Sequence, residues 1–461
     1  MARLSKDLTV AAAVFLVLAV TSAAFRPSLK NGFVNWDDPQ YVVENPGIRS
    51  LSAAAVGKIF SSFSVANYQP LTLLSYALDY RLSGDDPNGY HATNLGLHLF
   101  NGLLVFWLVL LIGGRVWVAC LTALLFGVHP LHVESVAWVS ARKDVLYGFF
   151  FLAALVSYVH YLRRPQARRY YYGSLVLFLF SLLSKATAVT LPLVLLLLDR
   201  YPGRTDRKLA LADKIPFFVL ALVFGGLGFF AQHAAGAVRR PELFNLVDKL
   251  LIVPFALAFY LFKTVWPVGL SCLYPYFAFP GNPIFFASLI ALFVAGLGGA
   301  VFAWGRSSRV VAFSSLFFLL TLLPVLQIVP LGRIIVADRY AYLPLLGLFY
   351  GFSEGMAWLY ARDLRQGGRV VRVFLIVLAA GCVVGLGAMT ARRCTVWRDS
   401  GTLWRDALLR HPASSIACNN LGVFYAHSGR QEEAARMFRR ALAIDPAYAG
   451  PRNNLLLLEG R

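Results

Sequence analysis

Residues 95–134 read LGLHLFNGLLVFWLVLLIGGRVWVACLTALLFGVHPLHVE. The first part, 95–112, contains no Asp, Glu, Lys or Arg, and Gly113-Gly114-Arg115 separates it from a second apolar run over 116–134. A bilayer core takes about 20 mostly apolar helical residues to cross. Two such runs in tandem, joined by a tight polar break, predict an antiparallel pair of membrane helices. The whole chain agrees with that reading. Of its 461 residues 58% are hydrophobic, 14% aromatic and 14% charged. An ordinary soluble domain carries about 45–50% apolar and about 25% charged residues. Disorder, a disulfide scaffold and a fibrous repeat are excluded, and a polytopic membrane protein remains.

Further apolar runs lie near 8–25, 144–162, 170–184, 186–199, 214–231, 283–304, 310–330, 340–360 and 371–391. The segment 246–267 is ambiguous. The first run reads as an uncleaved anchor, although Ser22-Ala23-Ala24 is a weak cleavage cue. The formal charge of +20, from 43 basic and 23 acidic residues, would suggest a polyanion partner in a soluble protein. In a membrane protein it marks topology, because cytoplasmic loops collect Lys and Arg. Arg3 and Lys6, Arg163 to Arg169, and Arg200 to Lys214 belong together on the cytoplasmic side. The N-terminus is then cytoplasmic, and the 26–94 loop and the His129–Asp144 turn lie outside. Lys249 and Lys263 favour an interfacial course for 246–267, which returns Arg306, Arg309 and the Arg362–Arg372 cluster to the cytoplasm. That gives about eleven spans, with the C-terminus extracytoplasmic and Arg392 and Arg393 as an exception.

The expected fold class is an all-α polytopic membrane protein with a membrane domain over 1–394 and a helical domain over 395–461. In the latter, Leu421, Gly422, Tyr425, Ala434, Phe438, Ala441 and Pro446 match the tetratricopeptide (TPR) pattern. Trp404, Ala407 and Pro412 sit 34 residues before Phe438, Ala441 and Pro446, in the same register. Stable arrays need three or more repeats, so this short one is expected to pack on the membrane domain or on a partner. The five cysteines form no CxxC or zinc spacing.

Four polar clusters interrupt the apolar pattern on the expected outer face. The 26–94 loop, rich in aromatics such as Trp36 and Tyr68, holds the acidic pair of Asn35-Trp36-Asp37-Asp38-Pro39. Adjacent carboxylates beside aromatics suit a general base for a hydroxyl and an orienting or cation-holding partner. The alternative is a surface turn, which Asn and Asp-Pro also favour. The second cluster is His129-Pro130-Leu131-His132-Val133-Glu134 followed by Arg142-Lys143-Asp144. Ionisable groups at membrane depth mark function by default, and His⁺, Arg and Lys are phosphate donors. Two histidines without a firm third ligand make a poor metal site. Lys185 in Ser184-Lys185-Ala186-Thr187 and Arg339 in Ala337-Asp338-Arg339-Tyr340 complete the set. Interfacial snorkelling competes with function for each of them.

Asn35-Trp36-Asp37-Asp38-Pro39, Tyr68-Gln69-Pro70-Leu71-Thr72, Tyr90-His91-Ala92-Thr93-Asn94-Leu95, the run from His129 to Trp138, and Asp338-Arg339-Tyr340-Ala341-Tyr342-Leu343-Pro344 together resemble the transmembrane-and-TPR O-mannosyltransferase family. That family lies within the wider GT-C glycosyltransferases. The likeness continues through Trp397-Arg398-Asp399-Ser400 and so covers nearly the whole chain. It implies a GT-C-like membrane domain and transfer of a sugar, mannose first, from a polyprenyl-phosphate donor to a Ser or Thr hydroxyl outside the cytoplasm. It further implies Asp37 or Asp38 as base and His129, His132, Arg142, Lys143, Lys185 and Arg339 as candidates to meet the donor phosphate. Glu134 and Asp338 would orient those groups or accept a cation, with Mg or Mn the metals in question. Trp36, Tyr68, His91 and Asn94 would support the loop or the acceptor. A bacterial-type member in an inner membrane is the implied setting. Two departures stand out: the repeat tail is short, and Ala186 replaces a commonly found Pro.

Other classes remain open at this stage. A non-catalytic TPR scaffold of the cell envelope, recruiting an envelope protein, would keep the fold without turnover. A transporter needs polar residues on facing helices at mid-membrane, whereas the clusters here sit at one interface. Nucleic acid is not an expected partner, since the basic residues form no stripe on one helix face.

Overall fold

The computed structural model describes residues 2–63, 67–201, 211–234, 236, 246–275, 298–299, 308–328, 334–365 and 369–460. Among them the chain is helical, with no β-strand and one isolated antiparallel bridge between Pro275 and Ile334. The membrane part comprises α1 (Ala2–Phe25), α2 (Ala53–Ser61), α3 (Pro70–Ser83), α4 (Pro87–Gly113), α5 (Val116–Val128), α6 (Val133–Ala137), α7 (Arg142–Arg163), α8 (Arg169–Ser184), α9 (Leu191–Arg200), α10 (Ile215–Ala234), α11 (Leu246–Val265), α12 (Arg309–Leu322), α13 (Leu345–Arg365) and α14 (Val370–Cys394). The C-terminal part comprises α15 (Ser400–Arg410), α16 (Ser415–His427), α17 (Gln431–Ile444) and α18 (Ala449–Glu459).

The ends of α4 show why this stretch stops where it does. Asp86 caps its start by accepting from the Asn88 backbone at 3.1 Å, ahead of Pro87 at the first helical position. Gly114 ends it at φ +73°, a left-handed conformation that costs glycine little, and its N–H closes on the Leu110 carbonyl at 3.0 Å. The helix then packs against α5 and α7, burying Val105, Phe106, Leu108 and Val109.

Five helical stretches among the described residues are long and apolar enough to cross a membrane: Asp7–Lys30, Pro87–Gly113, Val139–Arg163, Leu211–Ala234 and Val370–Trp397. The pair Val116–Val128 and Pro130–Ala137, bent by 53°, makes a sixth if counted as one span. This is an integral membrane protein, and its described residues hold five or six such stretches where the sequence reading expects about eleven spans in the whole chain. Two runs read as whole crossings fold here as shorter pieces: α8 has 16 residues and α9 has 10. The expected span 283–304, apart from Gly298 and Gly299, lies outside the described residues.

The bend follows from Pro130. Proline has no N–H, so the Phe126 carbonyl loses its helical partner and the next carbonyls are released with it. Unpaired backbone is costly at membrane depth. Three side chains take over: His132 Nδ1 lies 2.7 Å from Phe126 O, His98 Nε2 lies 3.1 Å from Gly127 O, and Thr390 Oγ1 donates to Val128 O at 2.7 Å.

The C-terminal helices form antiparallel neighbours. Of the positions singled out from Trp404 to Ala441, all but Pro412 and Tyr425 are buried, including Leu421, Ala434 and Phe438. Gly422 is required by contact: a Cβ there would stand 2.6 Å from the Phe438 ring. This unit docks onto the start of the long first loop. Asn31 Nδ2 donates to Cys394 O at 3.1 Å and Gly32 N to Arg398 O at 2.8 Å.

Candidate functional site

The acidic pair sits on a loop fixed from both sides. Asn35, just before it, makes three bonds to the C-terminal unit: its N–H donates to Ser400 Oγ at 2.8 Å, its Nδ2 to Asn420 O at 2.8 Å, and its Oδ1 accepts from Trp404 Nε1 at 2.6 Å. Trp36 packs between Trp404 and Trp138, with ring centroids 5.0 and 5.3 Å away. Trp138 in turn stacks on Trp397 at 5.5 Å.

The two carboxylates then diverge. Asp38 is buried, accepting from Val34 N at 2.8 Å, Ser140 N at 3.0 Å and the Ser140 hydroxyl. Burial pushes its carboxyl up to about 6 from 3.8, against the lowering effect of those hydrogen bonds. Its acceptor sites are committed to holding the loop against the α6–α7 joint. Asp37 is partly exposed and lines a small cavity; its one ion-pair partner is Lys143, whose Nζ lies 3.9 Å from Oδ2. Lys143 also stands 4.6 Å over the Tyr41 ring.

That cavity, about 220 Å³, is lined by Asp37, Tyr41, Tyr68, Lys143, Lys185 and Arg339, together with the amide side chains Asn67, Gln69 and Gln232. It shares Lys185, Ala186, Gly228, Gln232, Arg339 and Tyr340 with a larger cavity of about 680 Å³, so the two are lobes of one cleft. The larger lobe takes Val189, Gly225, Phe229 and Pro324 from apolar helices, and Trp36, Ile416, Asn420 and Tyr448 from the loop and the C-terminal unit. Close approach of α10 shapes it: a Cβ on Gly228 would lie 3.0 Å from that of Ala186.

Buried carboxylates hold the cations of the cleft. Lys185 Nζ is 2.5 Å from Asp144, which is fully buried. Arg339 pairs with Glu134, which also accepts the Arg339 backbone N–H at 3.0 Å, and the guanidinium lies 5.4 Å over Trp138. Burial works against the Arg339 charge, yet Glu134 and its neighbours raise the guanidinium above its ordinary value. Burial lowers the Lys185 ammonium, with Arg339 and Lys143 adding to the effect and Asp144 opposing it. An anion entering between Lys185 and Arg339 would relieve that repulsion.

The structure therefore brings Asp37, Lys143, Lys185, Arg339, Trp36 and Tyr68 to one cleft. It places the other singled-out residues elsewhere. Arg142, expected near phosphate, is wholly buried, bonded to Asp79 at 2.6 Å, to Tyr90 O at 2.9 Å and to Asn94 Oδ1. Asn94 itself donates to Val136 O and Trp138 O. That knot ties α3 and α4 to the α6–α7 joint. His132 caps the broken helix α5 and is packed among Phe126, Tyr342 and Phe349. His129 lies 3.0 Å from Thr264 O, and His91 is buried under the loop; neither lines the cleft. Asp338 is buried beside Tyr274, whose hydroxyl donates to it at 2.8 Å; burial and the nearby Glu134 push its carboxyl upward. Among the described residues no three His, Cys, Asp or Glu side chains converge as a metal site, and Asp37 is the carboxylate that lines the cleft.

Sequence reading passed over Asp144 as a support, and Asn67 and Gln232 as lining. The signal for Gln232 was present: an amide inside the apolar run of α10 is unusual at membrane depth. Asn420 carried no such signal, because it lies on the helical tail and reaches the cleft only through docking.

No protein-family model matches the chain. Protein O-mannosyl-transferase TMTC1 of Homo sapiens is 25% identical over 96% of this chain and 56% of its own length. Protein O-mannosyl-transferase F38B6.6 of Caenorhabditis elegans is 24% identical over 94% and 63%. The mouse TMTC4 enzyme is 26% identical over 91% and 65%. The chain thus spans somewhat more than half the length of these curated relatives. Among solved structures, ArnT from Cupriavidus metallidurans bound to undecaprenyl phosphate is similar over 88% of this chain and 79% of that one, at 15% identity and a TM-score of 0.43. The likeness read from the motifs is met by these relatives, which are TMTC-family proteins along nearly the entire chain.

Proposed function

We propose that this relative of the TMTC protein O-mannosyl-transferases is itself a membrane glycosyltransferase, moving a sugar from a polyprenyl-phosphate donor to a protein Ser or Thr hydroxyl on the extracytoplasmic face. Mannose is the first sugar to test. The observation that carries the reading is the convergence of Asp37, Lys185 and Arg339 on one cleft that also has apolar walls. The donor phosphate would lie between Lys185 and Arg339, with Arg339 able to bind it in bidentate fashion. Its hydrocarbon tail would follow the wall of Val189, Gly225 and Phe229. The sugar would occupy the small lobe, where amides and tyrosines supply hydroxyl partners.

Asp37 would take the proton of the acceptor hydroxyl as its oxygen attacks the sugar C1. The bond from C1 to the phosphate oxygen breaks, and the phosphate leaves with the electron pair, its developing charge met by Lys185 and Arg339. Attack opposite the leaving group inverts the anomeric centre. Because Asp144 and Glu134 already fix the two cations, little reorganisation is needed when that charge appears. An N-terminus in the cytoplasm and a C-terminal unit outside complete the proposal, which places the cleft on the outer face.

The test uses the full chain in lipid nanodiscs, with polyprenyl phosphates carrying labelled mannose, glucose or other sugars, and Ser/Thr peptides. Transfer by the natural protein and its loss in Asp37→Asn would support the reading. No transfer with any sugar, or full transfer by Asp37→Asn, would overturn it.

A further inference from the structure

The cleft has a wall that donor chemistry does not account for. Ile416 and Asn420 on α16 and Tyr448 before α18 line the larger lobe beside Trp36, the residue adjacent to Asp37. These groups belong to the C-terminal unit, far from the apolar helices in sequence. The contact is built in: the Asn35 side chain bonds the Asn420 carbonyl and Trp404, so this wall and the Asp37 loop are held as one piece. The wall carries no charge to attract phosphate. It offers an amide, an aliphatic side chain and two aromatic surfaces. Asn419 Nδ2 donates to Asn420 Oδ1 at 3.1 Å, which leaves the Asn420 NH2 group as a donor for a carbonyl.

We infer that Ile416, Asn420 and Tyr448 form the acceptor subsite, and that its occupant is an extended peptide bearing the hydroxyl. The Asn420 amide would meet a peptide carbonyl, while Ile416 and the rings of Trp36 and Tyr448 cover flanking side chains. Ile416 and the two rings give aliphatic flanking groups an apolar partner, and the Asn420 amide gives a carbonyl its donor, which together match what an extended peptide presents. The C-terminal unit thereby selects the acceptor from inside the cleft. This rests on the transferase reading above.

The experiment compares the full-length protein with Asn420→Ala and Ile416→Ser, each checked for an unchanged melting temperature. Acceptors are a Ser-containing peptide and a small alcohol bearing the same hydroxyl, with water as the background acceptor in donor hydrolysis. The expected result is a fall of about tenfold in the ratio of peptide to small-alcohol kcat/KM, the upper range for one hydrogen bond. A peptide with a photoreactive side chain next to its Ser should also label the 416–448 segment. An unchanged ratio in both variants, or labelling confined to other segments, overturns the inference while leaving the transferase reading intact. Absence of both hydrolysis and transfer in the natural protein overturns the reading itself.

Discussion

The cleft and the proline break at Pro130 are made of the same materials, ionisable side chains inserted among apolar helices, yet they do opposite things. At the break, each polar group is turned inward to a backbone or side-chain partner: His132 to Phe126 O, His98 to Gly127 O, Arg142 to Asp79 and Asn94. In the cleft, Lys185 and Arg339 are held from behind by Asp144 and Glu134 and still line open space. The lesson is that residue type does not separate a site from a strut. What separates them is where the group faces, inward to partners in the packed interior or into the open space of the cleft. The adjacent pair makes the point within two residues, since Asp38 is consumed by Ser140 and Val34 while Asp37 faces the cavity.

The comparison breaks most sharply at Asp37. Asp37→Asn should lower the transfer rate by about 10²–10⁴-fold, the usual contribution of a general base, with the melting temperature unchanged. Arg142→Leu should do the reverse. It strands Asp79 as a buried unpaired charge, at a cost of about 3–5 kcal/mol in stability. Thermal unfolding in detergent would read this as lost folded protein, with normal activity per folded molecule. Adding Asp79→Leu should restore much of the loss, because the pair is then removed together.

Asp38 tests the boundary between the two regions through pH. Its folded value of about 6 lies above 3.8, so between those values the folded protein keeps a proton that the unfolded chain has released. Stability from this group therefore falls as pH rises through that window and is flat above it. The full effect is about 3 kcal/mol. Melting temperatures of the natural protein should decline from about pH 4 to about pH 6.5 relative to Asp38→Asn, in line with that linkage. A constant difference between the two would show that Asp38 is not buried against Ser140.

Much of the molecule was legible in sequence. The run at 95–112 was visible as apolar length, and the structure forms α4 there. Between Trp404 and Ala441 the sequence spacing of small and aromatic residues has a visible counterpart, since Gly422 sits against the Phe438 ring. The span count was less so, since a local run of apolar residues does not reveal that 170–184 and 186–199 fold into short helices around a turn at Lys185. In the candidate site, the motifs drew attention to residues that the structure then divides between the cleft and the packed interior. Arg142 and His132 carry the same signal as Arg339, and only the partners supplied by distant segments, Asp79 from α3 and the freed carbonyl of Phe126, divide them.

Lys185→Met sharpens the cleft side of the comparison. It removes one of the two cations proposed to meet the donor phosphate, so donor KM or the transfer rate should worsen by about tenfold to a hundredfold, the range for a charge-assisted hydrogen bond. Stability should suffer as well, since Asp144 loses its partner. The double variant Lys185→Met/Asp144→Asn would separate the two effects: it should recover stability without recovering transfer.

The smallest effect is expected at His132, and it is the most discriminating. The sequence offered this residue as a phosphate donor; the structure uses it to cap the carbonyl that Pro130 releases. His132→Phe removes that cap while filling the space among Phe126, Tyr342 and Phe349 with another ring. The cost should be about 1 kcal/mol, the scale of a single hydrogen bond within a membrane protein. Transfer per folded molecule should be unaltered, and His132→Gln, which retains a donor, should recover part of the stability. If His132→Phe instead abolished transfer with the fold intact, the strut would be a site after all. The division between the break and the cleft would then have to be drawn by chemistry rather than by partners.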